Sequence, residues 1–168
     1  PGLTLADKQA VTTALLKAGA TIAEINCVRR HLSAIKGGRL AEWFAPAQVV
    51  SIIISDVISN DLGTIASGPT FADPTGYNEA LIILDKYELK ERLPLSIINH
   101  LLKGKQGEIP DTPKKLKNAD NYILGDNTLA LEAMAVKAKE ANLKPLIVSA
   151  RLHGDPGEAA AQIAMVIK

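Results

Sequence analysis

The amino-acid sequence predicts an α/β fold with a mainly parallel sheet. Val49–Ile54 is a short, β-branched and almost continuously apolar run, which is typical of a strand covered on both faces of such a sheet. Two further apolar runs, Tyr122–Leu124 and Leu146–Val148, alternate with helical segments. Strand, helix, strand and helix in succession predict right-handed parallel crossovers. The expected architecture is a Rossmann-like three-layer sandwich.

Helices are predicted before the first strand and between the later ones. Thr4 with Asp7, and Thr21 with Glu24, have the spacing of a capping box, so a helix is expected to begin at each threonine. The second of these helices should end near Lys36, because two glycines follow it. The later predicted helices cover Asn78–Tyr87, Pro94–Leu102, Asn127–Ala141 (with Asn127 as its N-cap) and Pro156–Lys168.

Composition narrows the classes of protein that the chain can represent. Its 168 residues, 47% hydrophobic and 22% charged, are enough to fold as one domain with a core. The formal charge of +1 lacks the basic excess of a nucleic-acid binder, and no apolar run approaches the roughly 20 residues that span a bilayer. A lone Cys27 excludes an intrachain disulfide and favours a reducing cytoplasm.

Both ends of the chain resemble cut ends. The sequence begins with Pro1 and not with an initiator methionine, and the last predicted helix continues to Lys168. These features predict a piece of a longer protein.

Small or polar residues follow each predicted strand. They are Ser55-Asp56, Gly125-Asp126-Asn127 and Ser149-Ala150-Arg151. Ligands of open α/β sheets bind beyond the carboxyl ends of the strands, where helix N-termini offer N–H groups, so this edge is the expected ligand site. The alternative is that these residues only cap helices.

The segment Ser55–Thr75 is the most informative stretch of the sequence. It carries three carboxylates, Asp56, Asp61 and Asp73, of the kind that hold Mg2+ through oxygen ligands. Its S-G-P-T run, Ser67–Thr70, consists of small residues whose backbone N–H groups could approach phosphate oxygens. A long surface loop with turn-capping side chains is the alternative.

A second candidate site is the turn Lys36-Gly37-Gly38-Arg39. A lysine beside two glycines can present a cation and an accessible backbone to an anion, or can simply complement the end of a helix. The turn is not a Walker P-loop, and the chain has no G-x-G-x-x-G dinucleotide fingerprint.

These two segments resemble the signature blocks of a known family. Arg30–Ala41 is similar to the H-L-S-x-x-K-G-G-x-L-A block of the glycerate 2-kinases, the MOFRL-type enzymes often labelled hydroxypyruvate reductases. Further stretches resemble the same family: Pro1–Lys8, Thr21–Asn26, Ser55–Val57, Ile65–Thr70 and Asp73–Thr75. One departure stands at Ser59-Asn60-Asp61, where the family usually has Gly-Asp-Asp.

The resemblance implies ATP-dependent transfer of a phosphoryl group to the 2-hydroxyl of D-glycerate, with ATP and Mg2+ as cofactors. Lys36 and Asp56 are the implied catalytic residues, and Asp56 and Asp61 the implied metal ligands. The implied substrate or nucleotide contacts are Gly37, Gly38, Arg39, Ser55, Ser67, Gly68, Pro69, Thr70 and Asn127.

The resemblance also implies that residues 1–168 are the core of the amino-terminal α/β domain of a two-domain enzyme. The carboxyl-terminal domain is then absent, and the chain alone is expected to fold but to lack kinase activity. The implied partner is a small-molecule substrate, and the resemblance leaves open whether the protein forms a homodimer. Two rival functions remain, an oxidoreductase acting on hydroxypyruvate and a non-catalytic α/β binding module.

Overall fold

The computed structural model describes residues 2–152 and 154–167, so Pro1 and Lys168, which end two of the predicted segments, lie outside the described residues. The elements in chain order are α1 (Leu5–Lys17), α2 (Ile22–His31), α3 (Arg39–Phe44), β1 (Val49–Ile54), a 3-10 turn (Ile65–Ser67), α4 (Tyr77–Lys86), α5 (Leu95–Lys105), β2 (Ala119–Gly125), α6 (Asn127–Glu140) and α7 (Pro156–Ile167). They form two compact units. The first comprises Pro1–Ile52 and Asp61–Tyr122, and the second Ile53–Asn60 and Ile123–Lys168.

The first unit has a helical core. Both predicted capping boxes are confirmed: the Thr4 hydroxyl accepts a hydrogen bond from the Asp7 N–H (3.1 Å), and the Thr21 hydroxyl accepts one from the Glu24 N–H (3.3 Å). Helices α1, α2, α4 and α5 then pack their apolar faces together, each buried leucine or isoleucine contributing about 1.5–3 kcal/mol. The centre of this core consists of Val11, Leu15, Val28, Leu84, Ile97 and Leu101.

The two strands form a parallel pair. The Val49 N–H donates to the Asn118 carbonyl (2.7 Å) and, further along both strands, the Ser55 N–H donates to the Gly125 carbonyl (2.8 Å). The predicted strands Val49–Ile54 and Tyr122–Leu124 are therefore confirmed. Alternate residues of β1 are exposed, with Ile54 at 85%, so the described residues cover one face of this strand and not both.

The predicted strand Leu146–Val148 is wrong. The sheet of the described residues contains β1 and β2, and residues 143–149 form no regular element. Pro145 has no N–H to donate to a ladder, and the three apolar side chains instead line a cleft of about 300 Å³ with residues of α6 and α7. All three side chains stay largely exposed, Leu146 at 70%.

The helix ends differ in detail from the predictions. The N-cap of α6 is Asp126, whose carboxylate accepts from the Leu129 N–H (2.9 Å), so the expected Asn127 cap is wrong by one residue. The short helix α3 was not predicted; it begins after Gly38, whose φ of 84° lets the chain turn into a new helix. No helix within residues 2–152 and 154–167 is long and apolar enough to cross a membrane.

Candidate functional site

The two segments that the sequence singled out meet in the first unit. The Lys36 ammonium group donates to the Ala66 carbonyl (2.8 Å). The next two residues form consecutive backbone hydrogen bonds to the loop. The Gly37 N–H donates to the Ser67 carbonyl (3.0 Å), and the Gly38 N–H donates to the Gly68 carbonyl (2.7 Å). A lysine-bearing turn is thus fastened along the S-G-P-T loop by three consecutive hydrogen bonds.

The glycines of this turn are required by shape. Gly37 and Gly38 have φ values of +61° and +84°, a left-handed region that L side chains seldom adopt. A Cβ added to Gly38 would lie 2.9 Å from the Pro113 ring and 3.0 Å from the Phe71 carbonyl oxygen. Only glycine lets the two segments approach this closely.

The loop opposite the turn is strained. Ala66, Ser67 and Gly68 follow one another in the left-handed region, with φ values of 50°, 62° and 63°. Each non-glycine residue there costs on the order of 1–3 kcal/mol, so the surroundings must hold it. Ser67 is 2% exposed, and its hydroxyl supplies one restraint by donating to the Asn26 side-chain oxygen (2.8 Å).

Several predicted phosphate donors are already engaged. The N–H groups of Ser67 and Gly68 donate to the Thr64 and Ile65 carbonyls within the 3-10 turn. Thr70 is equally occupied, since its hydroxyl accepts from the Ser51 hydroxyl (2.8 Å) and donates to the Asn121 side-chain oxygen (2.6 Å). The geometry therefore gives the loop a shaping role, with Pro69 half-buried between these anchored residues.

Lys36 is the charged group that the turn presents. Its side chain is half-buried, and burial lowers its pKa, with the nearby Arg29 cation lowering it further. One of its three N–H donors is used on Ala66, which leaves two for an anion. Arg39 has other partners: its guanidinium donates to the Tyr77 hydroxyl (3.1 Å) and the Pro110 carbonyl (2.9 Å).

Behind Gly37 lies a buried ion cluster that the sequence did not predict. Asp73 is 1% exposed, and its carboxylate lies 3.2 Å from the Arg30 Nε and accepts from the Thr112 hydroxyl (3.1 Å). A Cβ on Gly37 would stand 3.2 Å from the Asp73 carboxylate. Arg30 in turn donates to the Gly63 carbonyl (3.1 Å), so the cluster fixes both the turn and the loop.

His31 extends this cluster. Its ring is fully buried, with Nδ1 2.8 Å from the Cys27 carbonyl oxygen and Nε2 3.1 Å from the Asp111 carboxylate. Both ring nitrogens thus lie within hydrogen-bond distance of acceptor oxygens, which ties α2 to the segment that contains Asp111. In the sequence, Asp73 stands out only as one loop carboxylate among three; its distant partners Arg30 and Thr112 could not be read from spacing.

Three other predicted residues lie in the second unit, after the ends of the strands: Ser55, Asp56 and Asn127. Ser55 is buried, its hydroxyl accepting from the Val57 N–H (3.2 Å), and Asp56 beside it is exposed. The Asn60 amide donates to the Asp126 carboxylate (2.7 Å), and the Asn127 amide to the Ala150 carbonyl (2.7 Å). Polar residues that follow β1 and β2 are thus hydrogen-bonded within this unit, but the third expected strand end is missing, because Ser149–Arg151 follow no strand.

Position 60 is where the chain departs from the family pattern. The Asn60 amide and the Leu129 N–H both hydrogen-bond the Asp126 carboxylate, and they lower its pKa, the backbone bond having the larger effect. An aspartate at position 60 would place a second carboxylate against Asp126, an arrangement that calls for a shared proton or a cation. Asparagine at position 60 is uncharged, so neither a shared proton nor a cation is needed there.

The two predicted metal ligands belong to different units. Asp56 lies in the second unit, whereas Asp61 lies in the first and accepts a hydrogen bond from the Thr64 hydroxyl (2.5 Å). In the part of the chain that the structure describes, no group of three or more histidine, cysteine, aspartate or glutamate side chains could hold a metal ion.

The segment that contains the Lys36 turn and the Ser67–Thr70 loop matches a family model. Residues 1–102 match the model described as a domain of unknown function, DUF4147. The chain belongs to this family.

Two relatives illustrate what the whole chain resembles. It is 39% identical over 168 residues to the glycerate 2-kinase of Pyrococcus horikoshii, covering 99% of this chain and 38% of the relative. It is 46% identical over 157 residues to a protein of Agrobacterium vitis named as a candidate hydroxypyruvate reductase, covering 93% and 34%. The chain therefore spans little more than a third of the length of these curated relatives.

A solved structure resembles the fold as well. The crystal structure of a glycerate kinase from Thermotoga maritima has a TM-score of 0.73 and 38% sequence identity, over 88% of this chain and 33% of that one.

Proposed function

We propose that this chain is part of an ATP-dependent glycerate kinase that transfers the γ-phosphoryl group of ATP to the 2-hydroxyl of D-glycerate. The observation that carries the proposal is the assembly of the lysine-bearing turn on the strained S-G-P-T loop. The kinase names of the relatives, together with the matched blocks that meet at this turn, support the same activity.

Lys36 supplies what phosphoryl transfer demands. The reaction depends on positioning and on neutralising the charge of the transferring group. The Lys36 ammonium group is held by the Ala66 carbonyl and keeps two donors for an anion. Gly37 and Gly38 act by letting the turn lie close to Ser67 and Gly68, since their own N–H groups are bonded to those residues.

The strand ends of the second unit are the proposed location of the nucleotide's metal. Mg2+ in such enzymes is bound by one or two carboxylates together with phosphate oxygens and water, so a single exposed carboxylate such as Asp56 suits this role. The metal would neutralise phosphate charge when bound. Contacts from Ser55 and Asn127, which lie in the same unit, belong to this proposal. For the first unit we propose, separately, that Asp61 is a metal ligand and that Arg39 contacts the substrate or nucleotide.

The proposal extends to the architecture of the whole protein. We infer that the chain is the core of the amino-terminal domain of a two-domain, MOFRL-type cytoplasmic enzyme, with a Rossmann-like three-layer sandwich completed by other segments. The exposed apolar face of β1 supports this inference, because Ile52 is 70% exposed. The 168-residue chain alone should then release no ADP in the presence of glycerate and ATP, and measurable release would contradict this view.

One experiment separates the kinase from its rival. The full-length protein should be assayed with glycerate and ATP through coupled ADP detection, and in parallel with hydroxypyruvate and NADH. Glycerate-dependent ADP release without NADH oxidation is the expected result. NADH oxidation alone would favour the reductase named for one relative, although the missing G-x-G-x-x-G fingerprint counts against it. If neither activity is observed, the non-catalytic binding module remains as the function.

A further inference from the structure

A cleft in the first unit is lined by three positively charged side chains. It has a volume of about 440 Å³ and lies beside the segment from α1 to the Lys36 turn. Lys8, Arg29 and Lys36 all line it, and each side chain is half-buried. None of the described residues that line it has a carboxylate side chain.

In the part of the chain that the structure describes, the three cations have no acidic partner. Among residues 2–152 and 154–167, no carboxylate oxygen lies within 4.0 Å of the charged groups of Lys8, Arg29 or Lys36. Two of the charges repel each other, since the Arg29 cation adds to burial in lowering the pKa of Lys36. An anion bound in the cleft would be attracted by all three charges and would relieve the repulsion between Arg29 and Lys36.

The rest of the cleft suits a polar, multiply charged ligand. Gln9, Thr12 and Ser33 bring amide and hydroxyl groups to its wall. The volume falls within the roughly 300–1,000 Å³ of ordinary small-molecule sites and exceeds what one phosphate would fill. A guanidinium and two ammonium groups match phosphate oxygens through charge-assisted hydrogen bonds.

We propose that this cleft binds a polyphosphate group through Lys8, Arg29 and Lys36. The group could belong to a nucleoside triphosphate or to free tripolyphosphate, because the cleft chemistry recognises the phosphates in both. The inference rests on the proposed function only through Lys36, which the two sites share. Lys8 and Arg29 are new assignments.

Lysine footprinting tests the proposal at single residues. The full-length protein is treated briefly with acetic anhydride, with and without tripolyphosphate, and the acetylation rates of individual lysines are measured by peptide mass spectrometry. At ten times its Kd the ligand occupies about nine-tenths of the sites, so the rates at Lys8 and Lys36 should fall about tenfold. Lys17, exposed on the same helix as Lys8, should react unchanged.

Two variants test whether the protection of Lys8 depends on Arg29. Arg29→Gln should abolish the protection of Lys8, whereas Lys105→Gln, an equal loss of charge on an exposed part of α5, should leave it intact. Circular dichroism melting checks the fold, and if Arg29→Gln does not fold, Lys8→Gln with Lys36 as the reporter replaces it. Unchanged acetylation of Lys8, or equal protection of Lys17, would overturn the proposal.

The source of the phosphates is a separate arm of the experiment. Protection by ATP at lower concentration than by tripolyphosphate, with none by adenosine, would identify a nucleotide site; equal protection would identify a site for the phosphates alone. Protection of Lys36 without Lys8 would contradict the cleft and leave the kinase proposal standing. Protection of both lysines in a protein without kinase activity would contradict the kinase and leave the cleft.

Discussion

The Asp73 carboxylate lies 3.2 Å from the Arg30 Nε, with the Asp73 side chain fully buried and that of Arg30 only 10% exposed. This ion pair joins three segments that are far apart in the sequence, because Arg30 also holds the Gly63 carbonyl and Asp73 also holds Thr112. The lysine-bearing turn lies against this ion pair at Gly37.

Removing the charge of Asp73 should destabilise the fold. Asp73→Asn would leave the Arg30 cation buried without its partner, and breaking a buried pair in this way costs about 3–5 kcal/mol. Urea unfolding measures the change. The control Asp85→Asn removes a carboxylate from an exposed pair with Lys90 and should cost under about 1 kcal/mol. Equal small losses in the two variants would show that the buried pair has no special role.

Gly38 should tolerate no side chain. Gly38→Ala combines a positive φ with a Cβ 2.9 Å from Pro113, so we expect a loss above the roughly 1–2 kcal/mol of left-handed strain alone. Gly107 is a matched control, because its φ of +82° is nearly the same and nothing lies within 4 Å of its added Cβ. Thermal melts that rank the two variants equally would contradict a contact-based requirement.

Individual elements show which parts of the structure the sequence could predict and which it could not. The capping boxes and the β-branched run predicted α1, α2 and β1 because each signal is local. The strand at Leu146–Val148 failed because an apolar run does not reveal whether a ladder partner exists. Two motifs marked the Lys36 turn and the Ser67–Thr70 run as candidate sites, but the hydrogen bonds that join them depend on backbone angles that residue types do not fix.

Restoring the family's aspartate at position 60 should create a pH-dependent and metal-sensitive site. In the native chain Asp126 has a lowered pKa, so its contribution to stability is present above the unfolded pKa of about 3.9 and is lost as the pH falls through the folded value. Asn60→Asp sets a second carboxylate beside it and should raise the pKa of the pair above the unfolded value. The variant should therefore melt below wild type at pH 7, by a difference that narrows near pH 4.

Mg2+ should then stabilise the Asn60→Asp variant more than wild type, because a cation relieves the repulsion between the two carboxylates. Asn60→Ala is the control, since it removes the amide bond without adding charge. Equal melting temperatures of the aspartate and alanine variants at both pH values, with no response to Mg2+, would show that positions 60 and 126 do not interact.

The most direct test of the account is the turnover of Lys36→Ala in the full-length protein, measured by ADP release with glycerate and ATP. Loss of a charge that stabilises the transferring phosphoryl group should cost about 3 kcal/mol, or roughly 100-fold in rate. The melting temperature should change little, because the half-buried Lys36 side chain is not part of the core. Lys17→Ala, an exposed lysine of α1, should keep normal turnover. Near-normal turnover of Lys36→Ala, with or without a loss of stability, would contradict the role of the turn in catalysis.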